Sequence, residues 1–416
     1  MKSGWATRSL GSICEFSNGL WTGKKPPFAQ AIVVRNTNFR PHGRLDLTDV
    51  ALLDVEAKQL AKKQLKPGDI IIEKSGGGPK QPVGRVAYFD HNDGVYSFSN
   101  FTSAARVTDK SKVDPEYLIR FLDWCYLSGV TERMQSHSTG IRNLDFKAFK
   151  AIEVPLPPLE EQRWIVGVLD EAFAAIATAT TNAEKNLANA RELFACTVEE
   201  VLERVDDCQT MTLLAAADES CSLSYGIVQP GDEEAGGLPI VRPTDLQQKF
   251  IELGPLKRIA PKLASAYQRT TLQGDELLLC VRGSTGTLSI ATPELAGGNV
   301  TRGIVPIRFN PAILSQKLGY YLLLSASVQK QIKAATYGAA LMQINIRDLK
   351  QLELRVPPDA IQVALTDRLD AVQSYVEQLQ ANYSDKLEAL AALKLSLLHR
   401  AFTGELTAST PDLAIA

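Results

Sequence analysis

Histidine and paired cysteine are what this 416-residue chain has least of: four histidines, His42, His91, His137 and His399, lie scattered, and none of the six cysteines forms a Cys-x-x-Cys pair. That spacing argues against a structural zinc site or a disulfide framework. The cysteines read as small buried hydrophobes of a reducing compartment. No run approaches the eighteen apolar residues of a membrane span, and the opening MKSGWATRSLGSI holds no apolar segment of signal-peptide length. The expectation is a cytoplasmic chain with no membrane association, no metal and no cofactor. A nucleotide cradle is absent too. In EKSGGGPKQPVGRVA (73–87), Gly84 is followed by Arg85 and Val86, not by the Lys-Ser/Thr of a P-loop, and the segment runs into strand-like RVAYFD, not a helix. Gly76, Gly77 and Gly78 read first as a turn or bulge between strands.

An excess of charge is also missing overall, at −2, but the balance alternates along the chain: +6 over 1–155, −7 over 156–207, +3 over 208–356 and −4 over 357–416.

What the sequence does contain is itself, twice. LKPGDIII (65–72) returns as LQGDELLL (272–279), VVRNTNF (33–39) as IVRPTDL (240–246), and IEVPLPPLEEQ (152–162) as LELRVPPDAIQ (352–362). Pro157-Pro158 pairs with Pro357-Pro358, Gln162 with Gln362, and Leu169-Asp170 with Leu369-Asp370, all 200 residues apart. Matches in one order, with a slowly drifting offset, imply duplication. Each copy opens with about 150 residues of short apolar runs and turn signals, mainly strands, with helices expected at 115–127 and 318–333. Each then changes character at the double proline. Ile165, Leu169, Ala172, Ile176, Ala179 and Ala183 follow a four-three spacing, as do Leu365, Leu369, Val372, Val376, Leu379 and Tyr383. Such a seam marks a coiled-coil contact, on helices about 60 Å long. Proline at the helix entry and Gly404 at the exit fit the expected boundaries; the tail after it is expected to fray.

Two equal seams supply each other's partner. The expected fold is α+β: two similar mixed α/β domains held apart by two long antiparallel coiled-coil helices, with pseudo-twofold symmetry. Two like basic domains on an acidic spacer suit a duplex contacted at two half-sites. Glycine-rich backbone lets a loop approach a phosphate or base edge, with donors alongside. The candidate DNA contacts are Arg35, Asn36, Asn38, Lys74, Ser75, Gly76, Gly77, Lys80, Arg85, Ser138, Thr139, Arg142 and Asn143 in the first copy. In the second they are Arg242, Thr244, Arg282, Ser284, Thr285, Thr301, Arg302, Tyr337, Gln343, Asn345 and Arg347. Arg, Asn and Gln can pair bidentately with bases; singly, each is also an ordinary turn or cap residue.

The junction IEVPLPPLEEQ and the terminal LKLSLLHRAFTGEL carry a resemblance spanning nearly the whole chain. The sequence resembles the specificity subunits of type I restriction-modification systems, although LRVPPDAIQ lacks the full LPPLEEQ string. The resemblance implies target-recognition domains at 1–156 and 207–356, spacer helices at 157–206 and 357–405, and a flexible tail at 406–416. It also implies double-stranded DNA, two methyltransferase (modification) subunits and restriction (motor-nuclease) subunits as partners. No Asn/Asp-Pro-Pro-aromatic turn and no catalytic constellation occurs, so no catalytic residue is expected. A methyltransferase with degenerate motifs and a coiled-coil scaffold without DNA contact remain the alternatives.

Overall fold

The computed structural model describes residues 4–20, 23, 25–78, 81–138, 141–338 and 341–408, without the side chains of His137, Ser138 and Arg191. It divides into two compact units, Met1–Ala183 with Asp385–Ala416, and Glu184–Ser384. The division cuts both long helices, so each unit owns part of each; the expected domain limits at 156/157 and 356/357 follow chain segments instead.

The duplication is visible strand by strand. In the first unit Ala6–Ser9 pairs antiparallel with Glu153–Leu156; in the second Gln209–Thr212 pairs antiparallel with Glu353–Val356. Phe28–Val34 lies between antiparallel Ala51–Glu56 and parallel Tyr96–Phe98, and Leu238–Val241 lies between antiparallel Lys257–Ile259 and parallel Asn299–Val300. The apolar runs flagged in the sequence are the central strands Asp69–Glu73 and Leu277–Cys280, with Ile70, Ile71, Ile72, Leu277, Leu278 and Leu279 fully enclosed. A strand buried on both faces reads as a continuous apolar run, not an alternating one.

The repeated Gly-Asp marks a turn in both copies, Gly68 at φ +95° and Gly274 at φ +105°. The carboxylate behind it has moved. Asp69 accepts from the Lys66 amide and from Arg106, whereas the second unit uses Glu276, which accepts from the Gln273 and Gly274 amides. The aligned Asp275 is not the equivalent group.

The repeated glutamines do one job twice. Gln162 donates to the carbonyls of Lys112 and Pro157 and accepts from the Asp114 amide. Gln362 donates to those of Ile313 and Pro357 and accepts from the Ser315 amide. Each buried amide thus joins the start of a long helix to the cap of the domain helix beside it.

Pro115–Leu127 is helical as expected. The segment 318–333 is not one helix but two, Gln316–Leu324 and Ala326–Ala335. Ser325 breaks it: at ψ 149° its hydroxyl accepts from the Val328 amide and so caps the second helix.

The seam residues lie on Leu159–Glu203 and Asp359–Thr403, each 45 residues long and starting directly after its proline pair. In the first unit Ile165, Val166 and Leu169 share a core with Leu398, Ala401 and Phe402, while Phe173 meets Lys394. Rising numbers on one helix meet falling numbers on the other, so the pair is antiparallel. In the second unit Val198, Val201 and Leu202 share a core with Leu369. One eighteen-residue stretch of Leu159–Glu203 reaches a mean hydropathy of 1.3, long and apolar enough by average composition to cross a membrane, while the unbroken apolar run of that length is absent from the sequence as expected. Asp170 on the same helix accepts from Arg120 at 2.7 Å.

The chain ending also departs from expectation. Gly404, at φ +84°, stops the long helix, but Glu405–Ala408 forms a further turn with Thr407 buried, so 406–408 is ordered by packing and not frayed. The rest of the tail lies outside the described residues.

Beside the helix pair, Phe173, Ile176, Leu387 and Leu390 line a groove of about 740 Å³. Lys394 sits over the Phe173 ring at 4.4 Å, and burial pushes its ammonium down to about 8, against Asp123, which raises it, and with Arg120 and Arg44 nearby, which lower it. Between about 8 and the ordinary 10.5 the unfolded chain binds more protons than the folded one, so stability rises with pH across that window. Lys394→Met is expected to melt higher than the parent below pH 8, the difference closing by about pH 10.5; thermal melts across pH read it directly.

Candidate nucleic-acid interface

The glycine-rich segment is a strand, not a phosphate cradle. Ser75–Gly77 pairs with Ile141–Leu144, which pairs with Gln135–Ser138, and a register shift falls between Arg142 and Asn143. Gly76 is held at φ +106°, where an added Cβ would stand 3.0 Å from the Asn36 amide nitrogen. Glycine is needed there both for the backbone and for the close approach.

This small sheet gathers much of the first candidate set. Ser75 donates through its hydroxyl to the Asn143 side-chain oxygen at 2.5 Å, and Asn36 donates to the Ser75 carbonyl and to Glu73. Arg142 opposes Gly77 across the sheet, donates to Gln135 and lies 4.0 Å from Glu132. Lys74 donates to Asn18, and burial, with Lys63 nearby, lowers its pKa.

Other candidates are committed to the fold. Arg85 is anchored to Glu73 through two nitrogens, at 2.7 and 2.9 Å, and donates to the Asn36 carbonyl. Asn38 is buried, accepts from the Arg35 amide and donates to the carbonyls of Asp46 and Asp49, so it closes a turn. Arg35 lies 3.7 Å from Asp49. Lys80 and Thr139 lie outside the described residues, as does the side chain of Ser138.

The second unit builds the corresponding patch from its own hairpin, Thr336–Tyr337 with Gln343–Ile344, and Arg282 bridges to Gln343. Gln343 donates to the Tyr337 hydroxyl, which donates to the Asn345 side-chain oxygen at 2.5 Å. Thr336 donates to Thr285 at 3.2 Å, bringing the second loop against the hairpin. Ser284, Thr244 and Arg347 are exposed, and Thr301 is nearly enclosed with its hydroxyl unpartnered among the described residues. Arg242 is tied to Asp245, repeating the Arg35–Asn38 turn.

Three neighbours escaped the sequence reading. Phe101, 44% exposed, receives the amides of Lys74 and Ser75 on its carbonyl. Tyr225, 40% exposed, donates to the Ile344 carbonyl, and burial raises its pKa, with Tyr337 adding and Arg302 opposing. Asn100 adjoins Phe101. An aromatic beside the repeated loop was the only available signal for the first.

A duplicated α+β chain with one polar, donor-bearing patch per copy is a tandem recognition protein in form. The chain belongs to the type I restriction modification DNA specificity domain family, whose model matches residues 2–188 and 228–389. It is 22% identical over 425 residues to the "Putative type I restriction enzyme MjaX specificity subunit" of Methanocaldococcus jannaschii, covering 98% of this chain and 94% of that one. It is 24% identical over 315 residues to the "Type I restriction enzyme EcoBI specificity subunit" of Escherichia coli, covering 69% and 66%. A chain from a solved structure on complex assembly and conformational transition of the type I R-M system superposes with a TM-score of 0.74 at 17% identity, covering 97% and 98%. At that identity the likeness is one of fold.

Proposed function

We propose that this chain is the DNA-recognition subunit of a type I restriction-modification complex, each unit reading one half of a split double-stranded target through its hairpin patch. Two methyltransferase subunits would dock on Leu159–Glu203 and Asp359–Thr403, and restriction subunits would join through the complex. The chain itself selects sites, and the covalent chemistry belongs to its partners. The observation that carries the reading is a single patch built twice with different side chains, Ser75 with Asn143 and Arg282 with Gln343. A duplicated reader of two unlike half-sites needs that combination.

Footprinting of the complex reconstituted with its methyltransferase subunits tests it: two short protected tracts separated by an unread gap are expected. Gln343→Ala or Asn345→Ala should lower selectivity in only one tract, about tenfold for a lost bidentate base contact. Equal weakening of both tracts would remove these residues as base readers, and uniform protection of any sequence would remove the reading altogether. Binding of S-adenosylmethionine by the isolated chain would instead favour an enzyme.

A further inference from the structure

The repeat can be aligned by hydrogen bonds, independently of sequence. The Leu144 amide donates to the Lys74 carbonyl as the Ile344 amide donates to that of Val281. The Lys74 amide donates to the Phe101 carbonyl as the Val281 amide donates to that of Gly303. Parallel bridges Leu20 to Ser99 and Ile227 to Thr301 agree. Ser75 is therefore the counterpart of Arg282, Asn100 of Arg302, Asn143 of Gln343, and Phe101 of Gly303.

These exchanges change the chemistry of the patch. In the first unit the arginines around it already face carboxylates: Arg35 has Asp49, Arg85 has Glu73 and Arg142 has Glu132. In the second unit Arg242 has Asp245, but among the described residues neither Arg282 nor Arg302 has a carboxylate partner. The Arg282 Nε is enclosed without a hydrogen-bond partner among the described residues, and Arg302 is exposed. The exchange of Phe101 for glycine makes room: a Cβ at Gly303 would lie 2.6 Å from the Pro243 ring and 3.7 Å from the Arg282 Cβ. An uncommitted guanidinium fork matches the O6 and N7 acceptors of guanine, whereas serine and asparagine at the same places do not present that fork.

We infer that Arg282 and Arg302 make the second unit's half-site the guanine-directed one, and that the neutral Ser75 and Asn100 give the first unit a different preference. The inference rests on the DNA-reading proposal and deepens it.

The test uses the full chain with its methyltransferase subunits and duplex libraries randomised in either half of the target. Arg282→Ser and Arg302→Asn install the first unit's residues. Each should lower guanine preference about tenfold at one position of one half and leave the other half unchanged. Arg282→Lys keeps a charge that still reaches O6 and N7 but lacks the planar fork, so it should retain part of the guanine preference that Arg282→Ser loses, with binding less salt-sensitive by no more than a fraction of one phosphate contact. Arg302 is exposed, so its variant answers the question even if changes at Arg282 disturb the loop. Unchanged base preferences, with all sequences bound equally more weakly, would make both residues phosphate contacts and overturn the inference. A parent complex without any split preference would instead defeat the DNA-reading proposal itself.

Discussion

Phe402→Ala should destabilise the first unit by about 3–5 kcal/mol, the cost of deleting a fully buried aromatic. Phe402 lies near the end of a helix that begins at Asp359, yet it is 2% exposed, with the rings of Tyr117, Phe121 and Trp124 at 5.4, 5.3 and 5.7 Å. Leu398 and Ala401 enter the same core. A ring deleted from a close-packed interior leaves a cavity that its neighbours refill only partly. All four tryptophans, Trp5, Trp21, Trp124 and Trp164, fall within Met1–Ala183, so tryptophan emission during urea unfolding reports the first unit. Phe402→Leu should retain most of the stability. A loss below about 1 kcal/mol for the alanine variant would mean that the helix end is not part of this core.

The fate of that helix end illustrates what could be read in the sequence. AFTGEL gave away its stop, because a glycine after an apolar stripe has a local cause, the positive φ of the helix exit. It did not give away the destination of Phe402, which depends on residues some 280 positions earlier. The same division runs through the chain. Seams, proline entries, central strands and the duplication follow from local periodicity and repetition, and all were legible. The break at Ser325 was not, because a serine inside an apolar pattern signals a cap only through its backbone. At the candidate interface, composition pointed to the glycine segment and to the donors around Ser138–Asn143 and Tyr337–Asn345, but not to their pairing as strands. Which arginines remain uncommitted was not legible: Arg85 and Arg282 look equivalent as donors, and only the position of Glu73 beneath one of them separates their roles.

That carboxylate leads to the second large effect. Glu73 is buried, and Arg85 spans it through two nitrogens while lying 5.5 Å over the Phe39 ring. Glu73→Cys or Arg85→Thr alone leaves a charge enclosed without its counterion, at a cost of about 3–5 kcal/mol. The second unit has already solved the same position without charge. The Glu73 amide meets the Arg85 carbonyl and the Gly84 amide meets that of Glu73, just as the Cys280 amide meets Thr287 and the Gly286 amide meets Cys280. Cys280 and Thr287 are therefore the neutral counterparts of the pair. The double variant Glu73→Cys, Arg85→Thr should be more stable than either single variant, which requires a coupling larger than either single loss, above about 3 kcal/mol, in tryptophan-monitored unfolding. Additive losses would show that the ion pair does not account for the cost of the single changes. On the DNA-reading proposal the restored variant should still discriminate sequence less sharply than the parent, because Glu73 also holds the Asn36 amide that bridges to the Ser75 carbonyl. That outcome would mean that the charge pair is kept for the orientation of the groups above it and not for the fold.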